Sequence, residues 1–565
     1  MEAKSFSVWD YVVFSALFVI SCGIGIFFAI KERKKATSRE FLVGGRQMSF
    51  GPVALSLTAS FMSAVTVLGT PSEVYRFGAS FILFFISYTF VIIFTSELFL
   101  PVFYRSGITS TYEYLQLRFN KVVRYAATVI YIVQTILYTG VVVYAPALAL
   151  NQVTGFDLWG SVFATGIVCT FYCTLGGLKA VVWTDAFQMI VMIVGFLTVL
   201  IQGSAHNGGL QNVLEQASNG SRLHIVDFDV DPLRRHTLWT ISVGGTFTWL
   251  GIYGVNQSTI QRCISCKTEK HAKLALYFNL LGLWIILVCA VFSGLIMYSH
   301  FKDCDPWTSG MISAPDQVWR SEISQYSLFL CLLFGILCTS MAVAASLLGG
   351  VVQAALSIHG MCGGPMLGLF SLGLVFPFVN WKGALGGLIT GITLSFWVAI
   401  GAFIYPAPDS KTWPLPLSTE QCFQSNVTTA APPELSNRPT IADTWYSLSY
   451  LYYSAVGCLG CIIAGVIISF ITGHQRGKDV DPLLIRPVCN LFCFWSKKYK
   501  TLCWCGVQHD RGTEQDNLEN GGAWKQGDES VLQNGLQQEG LTHVPGYDPK
   551  DKSHDNMALE KMTYF

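Results

Sequence analysis

A run of hydroxyl side chains within an apolar stretch is the first feature of this sequence that suits ion or solute binding. Residues 55–66 read LSLTASFMSAVT, and Gly69 and Pro71 follow within two turns. A membrane helix of this kind can be interrupted, which frees carbonyls for a cation and presents a half-helix N-terminus to an anion. Alternatively, the small residues only let neighbouring helices pack closely. The residues alone favour neither interpretation.

Two further regions carry polar groups at membrane depth. Residues 244–257 read GGTFTWLGIYGVNQ, and aromatic and amide groups in an apolar span line a cavity or bond across helices. Asp185 lies in the sequence WTDAFQ near the start of another apolar run. An acid in a span indicates function, although a solvated carboxylate at the membrane interface is the alternative.

Long apolar runs hold these residues. Hydrophobic residues make up 52% of the 565 residues and charged residues only 13%. A span needs roughly 20 mostly apolar residues, so we predict an all-α polytopic membrane protein. The candidate spans are 10–30, 51–75, 80–104, 123–150, 158–176, 181–203, 238–258, 274–298, 326–348, 351–379, 383–405 and 446–472.

The basic residues predict the orientation. Five Lys and Arg residues at 31–39 follow the first span, which lacks a signal-peptide cleavage site, so this span is an anchor and residues 31–50 are cytoplasmic. The sequon at Asn219 then lies outside, where glycosylation is possible. Cys304 and Cys422 lie in polar loops suited to the oxidising exterior, and we predict a disulfide between them.

The chain divides into a transmembrane domain, 1–472, and a largely disordered C-terminal tail, 473–565, because the polar residues after about 506 cannot bury a core. Basic residues and cysteines after the last span favour a cytoplasmic tail, and its end, MTYF, is a possible ligand for a PDZ domain. Twelve crossings would instead put the tail outside and the sequon at Asn426 inside. Either one candidate does not cross or an expected span is absent.

Several classes of function are disfavoured. A net charge of +1 argues against a nucleic-acid partner, and the sequence lacks a phosphate-binding G-x-x-x-x-G-K-[ST] motif. It also lacks a catalytic constellation outside the membrane, so we predict no enzyme. Any uphill transport must draw on an ion gradient.

Longer motifs resemble a known family. Residues 60–78, 176–185 and 253–257 closely resemble the sodium/solute symporters, solute carrier family 5. Residues 108–115 and 145–155 are most similar to its monocarboxylate transporters, with the iodide and multivitamin carriers as near neighbours.

The resemblance implies a fold of five-plus-five inverted repeats with broken helices and co-transport of sodium with lactate, pyruvate, nicotinate or short-chain fatty acids. It also implies a plasma-membrane location, apical in epithelia, among membrane lipids. Its implied sodium-binding residues are Ala59, Met62, Asp185 and Gln188, and its implied substrate-binding residues are Thr66, Thr248, Tyr253 and Gln257.

One departure from the family stands out. The family places another helix, with paired hydroxyls that bind sodium, after the loop that ends near Gln317, whereas here Val318 and Trp319 lead almost directly into the next span. A missing helix would also explain the even number of spans. Two hypotheses therefore stay open: a working sodium-coupled monocarboxylate symporter, and a transport-deficient variant that regulates or interferes with the complete form.

Overall fold

The structure of the protein is a computed structural model, which describes residues 8–32, 43–63, 65–154, 158–305, 351–412, 414–418, 439–473, 475–477 and 480–486. These residues form helices, turns and one isolated β-bridge, without a β-strand in the described ranges. The main helices are α1 (Val8–Glu32), α2 (Phe50–Phe61), α3 (Thr70–Phe77), α4 (Ala79–Arg105), α5 (Thr111–Arg118), α6 (Lys121–Thr154), α7 (Leu158–His206), α8 (Leu210–Asn219), α9 (Thr246–Tyr253), α10 (Gln257–Ile264), α11 (Glu269–Phe301), α12 (Val351–Val375), α13 (Trp381–Ile404) and α14 (Tyr453–Ile471).

Length and hydropathy identify membrane spans among these helices. Within the described residues, seven helices are long and apolar enough to cross a bilayer, and the bent pair α2–α3 makes an eighth. The prediction of an all-α polytopic membrane protein is therefore confirmed. The candidate span 326–348 and almost all of the tail lie outside the described residues.

The predicted span 51–75 is broken into α2 and α3, which are bent by 60° relative to each other. The helix ends at Phe61 because Met62 leaves helical geometry, with φ −89° and ψ 64°. A π-helical turn, Val65–Gly69, leads into α3. Pro71 lies in the first turn of α3, where the missing N–H breaks no helical hydrogen bond. The predicted interruption is therefore present.

The predicted span 238–258 is broken in a similar way. A π-helical turn, Thr240–Gly245, precedes α9, and α9 ends at Tyr253. The chain then restarts as α10, where Asn256 Oδ1 accepts a hydrogen bond from Ser258 N at 2.9 Å. This side chain satisfies one of the free N–H groups at the start of the new helix.

One prediction about the spans was wrong. The sequence predicted a boundary between spans 158–176 and 181–203, but α7 continues through it as one helix of 49 residues, of which Leu178–His206 is a candidate span by itself. The predicted boundary carries Gly176 and Gly177 but no proline, so each residue keeps the N–H that a continuous helix requires. A straight helix of this length would extend about 74 Å, more than twice the roughly 30 Å hydrocarbon core.

Close glycine contacts join the C-terminal helices. A Cβ atom at Gly387 of α13 would lie 2.4 Å from the carbonyl oxygen of Cys461, and one at Gly391 would lie 2.5 Å from that of Gly457. Any larger residue would push α14 away, so the small residues on both helices fix this approach. Because α14 also packs against α12, the helices α12, α13 and α14 form one packed unit.

Candidate substrate and ion site

The break after α2 exposes backbone carbonyls between the two halves of a span. The helical ladder of α2 ends with the hydrogen bond from Met62 N to Thr58 O, at 2.9 Å. Carbonyls in the last turn of a helix lack helical partners further along the chain. Ala59 lies in this turn and Met62 at its end, so both predicted sodium ligands are placed at free carbonyl positions.

Asp185 of α7 faces a pair of serines on α2. Its Oδ2 atom accepts hydrogen bonds from Ser56 Oγ at 2.7 Å and from Ser60 Oγ at 3.2 Å. Arg262 Nη2 of α10 donates to the same oxygen at 3.2 Å. The Asp185 side chain is only 13% exposed. The structure therefore brings this acid beside the turn of α2 that contains Ala59.

Gln188 is placed differently from Asp185. It follows three residues later on α7, but its side chain is exposed. No hydrogen bond among the described residues joins it to the cluster around Asp185. Of the four predicted sodium-binding residues, three therefore lie together at the break and Gln188 lies apart from them.

A hydrogen-bond chain connects the two broken spans. Thr58 Oγ1 donates to Asn279 Oδ1 of α11 at 2.9 Å, and Asn279 Nδ2 donates to the Tyr253 hydroxyl at 3.3 Å. The Tyr253 ring packs against the Phe61 ring, with centroids 4.5 Å apart. These contacts join the two breaks through Asn279 of α11.

A cavity lies next to both breaks, with about 480 Å³ of empty volume if the space open to solvent is included. The described lining is aromatic and aliphatic, with a few hydroxyls, one histidine and no acidic residue. Residues from five parts of the fold contribute: Phe61, Ser63, Thr66, Thr70, Phe81, Tyr88, Tyr138, Trp249, Ile252, Val352, Ala355, Leu356 and His359.

The polar groups of this cavity are mainly neutral hydrogen-bond donors. Trp249 Nε1 is buried and has no hydrogen-bond partner within the described residues. His359 Nδ1 lies 2.8 Å from Gln134 Nε2, and with the amide as donor the ring proton is on Nε2. The Tyr138 ring packs on His359 with centroids 4.2 Å apart. Such a lining suits a small ligand that has an anionic head and an apolar body.

The four predicted substrate residues do not lie together. Thr66 lines the cavity, whereas Thr248 Oγ1 donates to the carbonyl of Leu451 at 3.2 Å. Tyr253 is fully buried behind Phe61. The structure thus brings Thr66 to the cavity, whereas Thr248 and Tyr253 make contacts between helices.

Gln257, the fourth predicted substrate residue, forms hydrogen bonds to the first residue of α5. Its Oε1 accepts hydrogen bonds from Thr111 N at 2.7 Å and Thr111 Oγ1 at 2.9 Å, and its Nε2 donates to Gln261 Oε1 at 3.2 Å. The side chain is 2% exposed, and it does not contribute to the described cavity lining. Its contacts are those of a structural residue.

The sequence reasoning missed Trp249 and His359 as candidate site residues. Trp249 stands within the quoted motif, but its neighbour Thr248 was chosen, and one helical residue changes the direction of a side chain by about 100°. His359 follows an apolar run at the start of α12 and precedes Gly360. An ionisable side chain in such a run was the signal that could have identified it.

The remaining predictions concern glycosylation and a disulfide. Asn219 is exposed at the end of α8, as a glycosylation site requires. Cys304 is disulfide-bonded, while Cys422 and Asn426 lie outside the described residues. Asp305 directly follows Cys304, and Ser418 precedes Cys422 by four residues in the sequence. Asp305 N donates to Ser418 O at 2.9 Å, so this bond joins the two segments that contain the predicted pair.

Comparison with known proteins gives the family context of this geometry. Residues 41–318 match the sodium:solute symporter family. The sodium-coupled monocarboxylate transporter 2 of Homo sapiens is 80% identical over 614 aligned positions, which cover 99% of each chain. The Bos taurus protein of the same name is 78% identical over 619 positions, covering 100% of each chain. The Homo sapiens sodium/iodide cotransporter is 41% identical over 86% of each chain.

The fold is also found in a solved transporter structure. A Na+-coupled sialic acid symporter in a substrate-bound, outward-open state matches with a TM-score of 0.62, covering 83% of this chain and 100% of that chain. The sequence identity is 18%, so this likeness concerns the fold alone. It confirms the predicted fold of the sodium symporters.

The alignments also show that an internal segment of these relatives has no counterpart in this chain. The alignment with the Bos taurus protein has 619 positions for the 565 residues of this chain, so about 54 positions of that protein face no residue here. The family match ends at residue 318, where the sequence predicted a missing helix. A deficit of this size equals one span of roughly 20 residues with its flanking loops.

Proposed function

This chain belongs to the sodium:solute symporter family, whose co-transported ion is sodium, and we propose that it carries small monocarboxylates across the plasma membrane. The proposed substrates are lactate, pyruvate, nicotinate and short-chain fatty acids, which share one carboxylate and a small body. Relatives aligned over its whole length are named for sodium-coupled monocarboxylate transport, which favours these substrates over iodide. The family consists of transporters, and the chain is not an enzyme.

The observation that carries the proposal is the composition of the cavity. The unpaired Trp249 N–H and the Thr66 hydroxyl are donors for a carboxylate, while Phe61, Phe81 and Tyr88 form apolar walls for the rest of the solute. The described lining offers no acidic side chain to repel an anion. A carboxylate can also meet the start of a half-helix at the break, where the helix dipole is positive.

We assign the co-transported sodium to the break after α2. Ala59 and Met62 would offer backbone carbonyls, and Asp185 would offer a negative charge close by. Oxygen ligands of this kind suit a hard cation. Gln188, which the family resemblance adds to this set, is exposed on α7 and is the weakest member of it.

Uptake of labelled lactate by cells that express this chain tests the function. We expect several-fold more uptake in sodium buffer than in choline buffer, with competition by butyrate and nicotinate. Surface biotinylation is the control, because only protein at the surface contributes to uptake. Uptake that is equal in the two buffers, or that iodide and not butyrate inhibits, would contradict the proposal.

The internal deficit favours a second candidate function, a transport-deficient chain that regulates or interferes with a complete transporter. Without the hydroxyls of the missing helix, sodium would keep only the Ala59 and Met62 carbonyls and Asp185. A weakly held ion shifts a conformational equilibrium only by its small difference in affinity for the two states. This candidate predicts surface-resident chain without sodium-dependent uptake, and reduced uptake by a co-expressed full-length relative.

The remaining assignments concern the location of the protein. We propose a transmembrane domain over residues 1–472 and a cytoplasmic tail over 473–565, in the apical membrane of epithelial cells. A PDZ-domain protein is the proposed partner of the C-terminus, Phe565. An epitope tag at Phe565 that antibody reaches only after permeabilisation would support this topology, and labelling of intact cells would contradict it.

A further inference from the structure

A second buried ion pair lies on the outer side of the cavity. Arg235 Nη2 donates to both carboxylate oxygens of Glu73, at 2.7 and 3.0 Å, and Arg235 Nη1 donates to Gln353 Oε1 at 2.7 Å. The side chains of Glu73 and Arg235 are 7% and 9% exposed. We call Glu73, Arg235 and Gln353 the outer latch. It joins α3 and α12 to the segment that precedes the second broken span.

Aromatic rings enclose the guanidinium group of the latch. The Arg235 guanidinium lies 4.3 Å from the Phe77 ring centre and 5.1 Å from that of Tyr450. The Arg235 carbonyl accepts a hydrogen bond from Ser449 Oγ at 3.0 Å, just before α14. Because both charged side chains are buried, their hydrogen bonds are stronger here than at an exposed surface.

The position of the latch relates it to solute entry. Glu73 lies one turn beyond Thr70, and Gln353 directly follows Val352, and both of these neighbours line the cavity. Since residues 31–50 are assigned to the cytoplasm, α2 begins inside and α3 ends on the outer side. The latch therefore spans the outer end of the cavity, between the half-helix α3 and α12.

We propose that the outer latch is an extracellular gate: Arg235 holds Glu73 and Gln353 together in the closed state and releases at least one of them when the cavity opens outward. In this proposal a solute from outside passes between α3 and α12, so a bond across these helices blocks its path. The proposal rests on the cavity being the solute site. His236 adds no charge beside the latch, because burial and the neighbouring Arg235 hold the pKa of His236 well below its usual range.

External access to a cysteine in the cavity tests the gate. Thr70→Cys supplies the target, and a membrane-impermeant methanethiosulfonate reagent is applied to intact cells, with the unsubstituted chain as background. Adding Glu73→Gln and Arg235→Gln together removes the latch without leaving a lone buried charge. We expect the modification rate per surface molecule to rise at least about fivefold, because the closed state loses charge-assisted bonds.

Two companion variants keep the test decisive. Glu269→Gln removes the distant Arg105–Glu269 ion pair, which is 3.0 Å long, and must leave the modification rate unchanged. Gln353→Ala removes one latch bond without altering any charge, and it decides the result if the double variant does not reach the surface. If a latch variant reaches the cell surface and its cysteine modification rate is unchanged, the gate proposal is wrong. The assay requires no transport, so it can succeed even where lactate uptake fails.

Discussion

Two buried acid–arginine pairs flank the broken span α2–α3, and they are held very differently. On the outer side, Arg235 contacts both oxygens of Glu73, the shorter at 2.7 Å, as well as Gln353. On the inner side, Arg262 reaches a single oxygen of Asp185 at 3.2 Å. The Nε and Nη1 atoms of Arg262 are buried without a hydrogen-bond partner among the described residues.

The difference indicates separate roles for the two pairs. Although Arg235 Nε also lacks a partner among the described residues, the outer arginine bonds to both Glu73 and Gln353, so it fixes the distance between α3 and α12. The inner carboxylate receives its shortest bond from the Ser56 hydroxyl, at 2.7 Å, and the arginine bond is longer, at 3.2 Å. An acid with a loosely held cationic partner can exchange that partner for a cation such as sodium.

Truncating the outer acid should give the largest effect. Glu73→Ala leaves Arg235 buried without its counter-charge, which typically costs about 3–5 kcal/mol of stability. We expect a clear drop in the melting temperature of the purified protein and less chain at the surface. The paired change Glu73→Gln with Arg235→Gln should recover most of the loss. A melting temperature that Glu73→Ala leaves unchanged would show that the outer pair contributes no stability.

Neutralising Asp185 should raise the half-activating sodium concentration without lowering the stability of the fold. Asp185→Asn keeps the side-chain volume and still accepts from Ser56 and Arg262, but it loses the charge that attracts the ion. A loss of about 1–2 kcal/mol corresponds to a half-activating sodium concentration about 5- to 30-fold higher. Lactate uptake against sodium concentration measures this, at matched surface expression. An unchanged activation curve would reduce Asp185 to a structural acid.

A smaller effect is expected in the cavity. Trp249→Phe removes the unpaired N–H and keeps most of the apolar wall, so one hydrogen bond to the solute carboxylate is lost. One such hydrogen bond contributes about 0.5–1.5 kcal/mol. The half-saturating lactate concentration should therefore rise about 2- to 12-fold without a change in sodium activation. Trp239→Phe, at a side chain exposed outside the cavity lining, is the matched control. Equal shifts in both variants would argue against a specific contact.

The smallest effect on lactate is expected at Gln257. Gln257→Ala removes the acceptor that holds Thr111 N and Oγ1, so it should lower thermal stability and leave the half-saturating lactate concentration unchanged. Uptake kinetics and a melting curve on the same variant separate the two effects. A raised half-saturating concentration with an unchanged melting temperature would return Gln257 to the solute site.

The sequence could predict the breaks but not the directions of the side chains. Residue type alone marked Asp185 as an acid within a span, whereas the small residues and Pro71 also suited close helix packing, and the family resemblance was needed to predict the break. Thr248 and Trp249 are adjacent, yet only Trp249 lines the cavity, since that depends on how α9 is rotated by its neighbours. The Glu73–Arg235 pair joins residues 162 positions apart, and residue spacing gives no sign of such a contact.

Lactate binding to the purified chain, with sodium and then with choline, tests most directly whether the cavity and the break after α2 act as one coupled site. Coupling is reciprocal, so an ion that favours the solute-binding state must tighten lactate binding by the factor by which lactate tightens ion binding. We predict a lower dissociation constant for lactate in sodium than in choline, and loss of this difference in Asp185→Asn. Equal dissociation constants in the two salts for the unaltered chain would contradict sodium-coupled monocarboxylate binding.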